Sequence, residues 1–199
     1  MRATVILVLA LAPLGAVFSW ASGAQGDSLR DALALGRTHD DALFEAFNKG
    51  YSLSPSGTIA HAEIVTEFRR AVLIVRDHAL QGAYAFGQDD LAKALAPSKG
   101  LVTFIVQVRL HPLNTFIKAP SYDLYISTGP MSPPIASKAL KREPVYPAGG
   151  APGSAVVAVR LDASFPRADI ERASAPLLIV TDEKAEILGQ ARIDLSRFR

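Results

Sequence analysis

The apolar residues change their spacing near Gly100, and that change constrains the fold more than any other feature of the chain. Before Gly100 they recur every three or four positions, as on an amphipathic helix. After it they alternate with polar residues, as on a half-buried strand. The clearest alternation puts Val102, Phe104, Val106, Val108 and Leu110 on one face and Thr103, Ile105, Gln107, Arg109 and His111 on the other. One register decides them all, because consecutive strand side chains point to opposite faces. Strand signals return at Tyr122–Ile126, weakly at Ala136–Tyr146, at Ala155–Ala163, at Leu177–Val180 and at Ile187–Leu195. In the Ala155–Ala163 stretch the inner set is Ala155, Val157, Val159, Leu161 and Ala163, while Leu177–Val180 is apolar on both faces and suits a central strand. Asp182–Ala185 fits a hairpin turn. Turn residues separate these segments and no long helical spacer does, so antiparallel pairing is expected. The expected class is α+β: N-terminal helices over residues 25–100, then an antiparallel β-sandwich of about 5–7 strands over residues 101–199.

Within the first part, Ser28–Leu35 suits a turn or short helix. Thr38 and Asp41 stand as a capping-box-like pair, with Asp40 also favourable at a helix N-terminus. The following helix shows Ala42, Leu43, Ala46 and Phe47 on one face and ends at Gly50. Ser54–Gly57 is a loop. A longer helix is expected from about Ile59 to Leu80, on the stripe Val65, Phe68, Val72, Val75 and Ala79, closing at Gly82. A short one should cover Leu91–Leu95, capped by Gln88 or Asp89 and stopped by Pro97. Gly129–Pro134 and Pro144–Gly153 are the longest expected irregular connectors.

The first residues have the build of an export signal. Arg2 supplies the positive end, Val5–Ala12 the apolar stretch, Pro13 and Gly15 the break, and Ser22 and Ala24 the small residues before a cut at Gln25. Residues 1–24 are therefore expected to be a signal peptide, and the rest an exported protein, periplasmic or extracellular, with no transmembrane segment after cleavage. The chain has no cysteine. Disulfides, thiol nucleophiles and thiolate metal sites are thereby excluded. Without Arg2, the 21 Lys and Arg become 20, against 19 Asp and Glu. Such balance gives no footprint for nucleic acid.

Candidate chemistry is sparse. His39, Asp40 and Asp41 are the densest set of possible metal ligands, but helix capping explains the aspartates. His61 and His78 would fall on different faces of the expected long helix, and His111 closes a strand before Pro112. Asp89 and Asp90 suit a helix start. Neither a nucleophile elbow nor a phosphate loop occurs, and Gly149–Gly153 reads as a linker. Lys138, Lys141 and Arg142 fit a solvated sheet edge. Tyr51, Tyr84, Tyr122, Tyr125 and Tyr146 could line a groove, though aromatics in strands are commonly packing partners.

The ending Ile187–Ser196, behind an acidic turn, resembles the last strands of immunoglobulin-like and C2-like sandwiches. Phe68–Val72 and Arg109–Thr115 give the whole chain a resemblance to exported bacterial proteins of unknown function that place helices before such a sandwich. The resemblance implies a fold and carries over no functional residue; a C2 likeness would direct a search for calcium ligands to Asp162 and Asp182. Together these readings lead to the expectation of an exported binding or envelope-associated module without catalytic activity. Its catalytic residues are unknown, no metal or cofactor is expected, and its partner would be a protein or envelope component. The alternative is a small exported hydrolase with a carboxylate and histidine site at the helix–sandwich junction.

Overall fold

Strand β3 (Leu101–Arg109) organises the molecule. In this computed structural model, which describes residues 25–116, 118–129, 132–149 and 154–198, Val102, Phe104, Val106 and Val108 of β3 are all buried. The expected register therefore holds, with Gln107 half-buried and Arg109 exposed on the opposite face. The export signal over residues 1–24 and most of the Gly149–Gly153 linker lie outside the described residues.

β3 lies between β2 (Ile59–Val65) and β7 (Ala158–Pro166), and β6 (Ala139–Val145) completes a four-stranded antiparallel sheet ordered β2-β3-β7-β6. A five-stranded sheet faces it, ordered β1-β9-β8-β4-β5. Its members are β1 (Pro55–Gly57), β4 (Asp123–Ser127), β5 (Ile135–Ala136), β8 (Leu177–Thr181) and β9 (Ile187–Arg192). One core joins the two sheets: Phe104, Leu161 and Phe165 from the first meet Ile126, Leu178 and Val180 from the second. The Phe104 and Phe165 rings pack edge to face at 5.8 Å. β8 is central, as its doubly apolar sequence requires, and Asp182 closes the β8–β9 turn by accepting from the Lys184 and Glu186 N–H groups. The class is α+β as expected, and β1 and β2, from before Gly100, add strands to both sheets.

Strand β1 occupies most of the expected Ser54–Gly57 loop, and Gly87, not Gln88 or Asp89, caps the helix that begins at Gln88; three larger readings are also corrected. Ile59–Val65 is strand β2, so the long helix α3 covers only Glu67–Leu80. Thr66 sets the boundary, because its Oγ1 accepts from the Arg69 N–H and caps α3, while Ala62 and Ile64 pair with Val106 and Phe104. His61 and His78 thus belong to different elements. Val65 leaves the helical stripe, of which Val72 and Val75 are the fully buried part. Just before β7, Val156 is buried and Val157 exposed, the reverse of the expected alternation, which holds only from Val159 onward. The reason is that 156–157 precede the ladder: Val156 donates to the Phe116 carbonyl and Val157 to that of Val145.

The third correction concerns helix α2 (Asp41–Lys49). Its cap is Asp40, which accepts from the Leu43 N–H, while Thr38 Oγ1 accepts from the Asp40 N–H. Of the expected apolar face only Phe47 packs inward, while Ala42 and Ala46 are exposed and Leu43 is 50% exposed; Phe44 joins Phe47 on the inner side. Helices α1 (Gln25–Gly36), α3 and α4 (Gln88–Leu95) build a second core from Ala32, Val72, Val75, Leu91 and Leu95. At Gly36 an added Cβ would stand 2.6 Å from Val75 Cβ, so only glycine allows α1 this close to α3. α3 ends in a left-handed Gly82, with Ala83 donating to His78 and Gly82 to Ala79. Phe47 touches both cores.

Candidate functional site

Three places gather polar or exposed groups of interest: the junction of helices and sandwich, a groove at one end of the sandwich, and a turn at the other end.

At the junction Arg69 is only 4% exposed. Its Nη1 donates to the Ile64 carbonyl at 2.8 Å, Nη2 meets Glu63 Oε2 at 2.5 Å and Nε donates to Asn48 Oδ1 at 3.3 Å. The guanidinium also lies 5.2 Å from the centre of the Tyr51 ring. Every face of this cation is therefore used, and it ties α2, β2 and α3 together. Burial pushes the Tyr51 hydroxyl above its usual pKa, against the opposing effects of a hydrogen bond with Thr66 and the Arg69 charge. His61 Nε2 lies 3.8 Å from Glu63 Oε2, so a histidine and a carboxylate do meet here. The carboxylate is already bound by Arg69, which gives the arrangement the character of a clamp.

The groove, about 710 Å³, runs between α5 (Arg167–Glu171) and the C-terminal residues. Leu53, Ile170, Ile193 and Phe198 are buried beneath it, and Arg167, Arg192 and Arg197 stand among its polar lining. Ser196 donates to Asp194 Oδ1 at 2.6 Å through its hydroxyl and at 3.1 Å through its N–H. The hydroxyl bond, with help from the N–H, holds the Asp194 carboxyl below the usual range. Among the described residues no histidine lines this groove, and the two bonds between Ser196 and Asp194 fix the turn.

At the opposite end, β3 runs into the turn His111–Pro112–Leu113–Asn114. Asn114 N donates to the His111 carbonyl at 2.9 Å and Leu113 N to His111 Nδ1 at 3.2 Å. The Asn114 carboxamide donates to the carbonyls of His111 at 2.8 Å and Val156 at 3.1 Å, and accepts from Phe116 N at 3.0 Å. Val156 N closes the frame on the Phe116 carbonyl. Pro112 presets the backbone for the first inner position of such a turn. This fixed frame holds Leu113 83% exposed and Phe116 52% exposed. Val157 and Tyr146 add exposed apolar surface beside it, joined through the Val157–Val145 hydrogen bond. A cleft of about 370 Å³ adjoins the turn, lined in part by Gln107, Arg109, His111 and Asn114.

The chain matches no known protein family, no curated protein and no solved structure.

The other candidates from sequence are dispersed. His39 is exposed, Asp40 caps α2 and Asp41 pairs with Arg76 at 2.5 Å. His78 stacks on Phe86 at 3.9 Å. Asp89 is exposed in the first turn of α4, and Asp90 accepts from Gly87 N–H. Lys141 pairs with Glu143 and Arg142 with Asp123, along the edge strand β6. Asp162 binds Arg160. Tyr51 is buried against Phe198, Tyr122 and Tyr125 are half-buried, and Tyr84 and Tyr146 are exposed in different regions, so they form no common groove. Among the described residues no three of His, Cys, Asp and Glu gather as a metal site would need. Sequence reasoning placed His111 at a turn but missed Leu113, although His-Pro-Leu-Asn already carried the signal: an apolar residue inside a polar turn motif.

Proposed function

We propose that the chain is an exported, non-catalytic module that docks onto an envelope component through the Leu113 turn. The observation that carries this reading is the exposure of Leu113 at the apex of a turn held by six hydrogen bonds. The turn satisfies the buried Val156 backbone, but the Leu113 side chain itself gains the fold nothing by standing in water. Exposed apolar groups become useful when a partner covers them. Fractionation of cells exporting the protein tests it. Wild type should travel with the envelope membranes, and Leu113→Ser/Phe116→Ser should shift to the free soluble fraction with an unchanged melting temperature. Equal distribution of the two proteins would refute the reading.

A further inference from the structure

Building on that reading, we infer that the surface covering the Leu113 turn is a phospholipid bilayer bearing anionic headgroups. Three features select this occupant. The first is shape. Leu113 and Phe116 protrude from a turn at the end of the sandwich, the form of a wedge entering a soft interface; a protein partner of the usual kind would meet a flatter patch.

The second is charge. No acidic residue occurs between Asp90 and Asp123, nor between Glu143 and Asp162, the two stretches that build the turn and its neighbour. Arg109, His111 and Lys118 lie on the first of them and are exposed, and no ion pair among the described residues engages Arg109 or Lys118. Basic side chains next to anionic lipid add attraction one by one.

The third is order along the axis of the turn. Arg109 ends the strand, His111 opens the turn and Leu113 occupies its apex. Apolar groups therefore lead and the Arg109 guanidinium follows, as hydrocarbon and headgroups are layered in a bilayer. The adjoining cleft has Arg109 in its lining, a donor beside the turn for a lipid phosphate. The acidic Asp182, Glu183 and Glu186 of the β8–β9 turn belong to the other sheet, and the Leu113 turn leaves the end of β3.

The test uses purified protein and vesicles of phosphatidylcholine alone or mixed equally with phosphatidylglycerol. Sedimentation should show binding to the anionic vesicles and little to the neutral ones. Leu113→Ser and Phe116→Ser should each weaken it about tenfold, the factor for withdrawing one large apolar side chain from hydrocarbon. Arg109→Gln and Lys118→Gln should each weaken it about fivefold and flatten its salt dependence. All four positions are exposed, so melting temperatures should not move. The chain has no cysteine, so Leu113→Cys carrying an environment-sensitive fluorophore labels the apex alone. It should brighten on anionic vesicles, and the same label at Leu80, an exposed residue ending α3, should not. Absence of binding to anionic vesicles, or full binding by Leu113→Ser, overturns the inference. If the protein follows the envelope through Leu113 yet ignores vesicles, its partner is a protein and only the lipid assignment falls. Loss of both effects removes the docking reading as well.

Discussion

Replacing Arg69 by methionine tests whether the helix–sandwich junction is a structural clamp. Methionine fills a similar volume, so the loss is chiefly polar. The Ile64 carbonyl accepts from Arg69 Nη1, while the Ile64 N–H donates to the Tyr51 carbonyl. Ile64 is fully buried, so an unmade bond at that carbonyl costs about 1–3 kcal/mol. Glu63 would lose its partner, but its side chain is 21% exposed and can rehydrate, which limits that part to about 1 kcal/mol. The bond to Asn48 and the contact with Tyr51 add a few tenths each. A total near 3 kcal/mol follows, a large fraction of the roughly 5–15 kcal/mol that holds a typical domain. It should lower the melting temperature by about 6–12 °C. Urea and thermal melts followed by circular dichroism measure it. Adding Glu63→Gln to Arg69→Met should cost less than the two single losses summed, with a coupling of about 1 kcal/mol. A change below about 0.5 kcal/mol for Arg69→Met would show that the guanidinium is not clamping the junction and would return Glu63 and His61 to consideration as a chemical pair.

Val106→Asp buries an unpaired carboxylate between Ala62 and Leu161 and should prevent folding, whereas Gln107→Asp, beside His61 and Arg160, should stay within about 1 kcal/mol of wild type in denaturant melts. Tyr51 has a folded pKa raised above the usual 10.0, so its contribution to stability is complete below that value and is lost as pH rises through the folded pKa. Tyr51→Phe should therefore flatten the stability curve on the alkaline side, leaving a residual slope from Tyr122, which is raised for the same first reason, burial; an unchanged alkaline slope would deny the burial of that hydroxyl. N-terminal sequencing of exported material should begin at or near Gln25, and an intact Met1 on such material would refute cleavage.

The elements legible in the sequence were those whose side-chain pattern and backbone pairing agree. β3 is the best case, because its neighbours bury one face and leave the other half-wet, so alternation survives in the residues. Ile59–Val65 misled because Val65 continues the three-and-four spacing of Phe68 and Val72 across a boundary set by one hydroxyl, that of Thr66. β7 misled at its start because Ala158 and Val159 are both buried, leaving no alternation to read. In α2 the choice between Leu43 and Phe44 as the inward residue rested on the second core, whose members come from three helices. The Arg69 clamp was invisible for a similar reason: its partners Asn48, Glu63 and Ile64 belong to two other elements, and no local spacing announces their meeting.

Exposure alone does not mark Leu113 as functional. Leu80 and Tyr84 are also largely exposed, and isolated apolar residues are common on protein surfaces. The difference lies in what surrounds them. Leu80 ends a helix, and the Gly82 motif beyond it serves that helix's own carbonyls. The carboxamide of Asn114 instead spends both donors and an acceptor on the loop that displays Leu113. Those bonds restrict the turn before any partner arrives, so less conformational entropy remains to be lost on docking. Two of the bonds also satisfy the N–H and carbonyl of the buried Val156, so the frame serves the scaffold as well as the display. Because the frame is made of backbone groups and the His111 and Asn114 side chains rather than of the Leu113 side chain, the apex can be exchanged for a polar residue without touching what holds the turn. Docking and folding are separable at this position for that reason, and loss of docking in a fully folded Leu113→Ser protein would report the surface and not the scaffold.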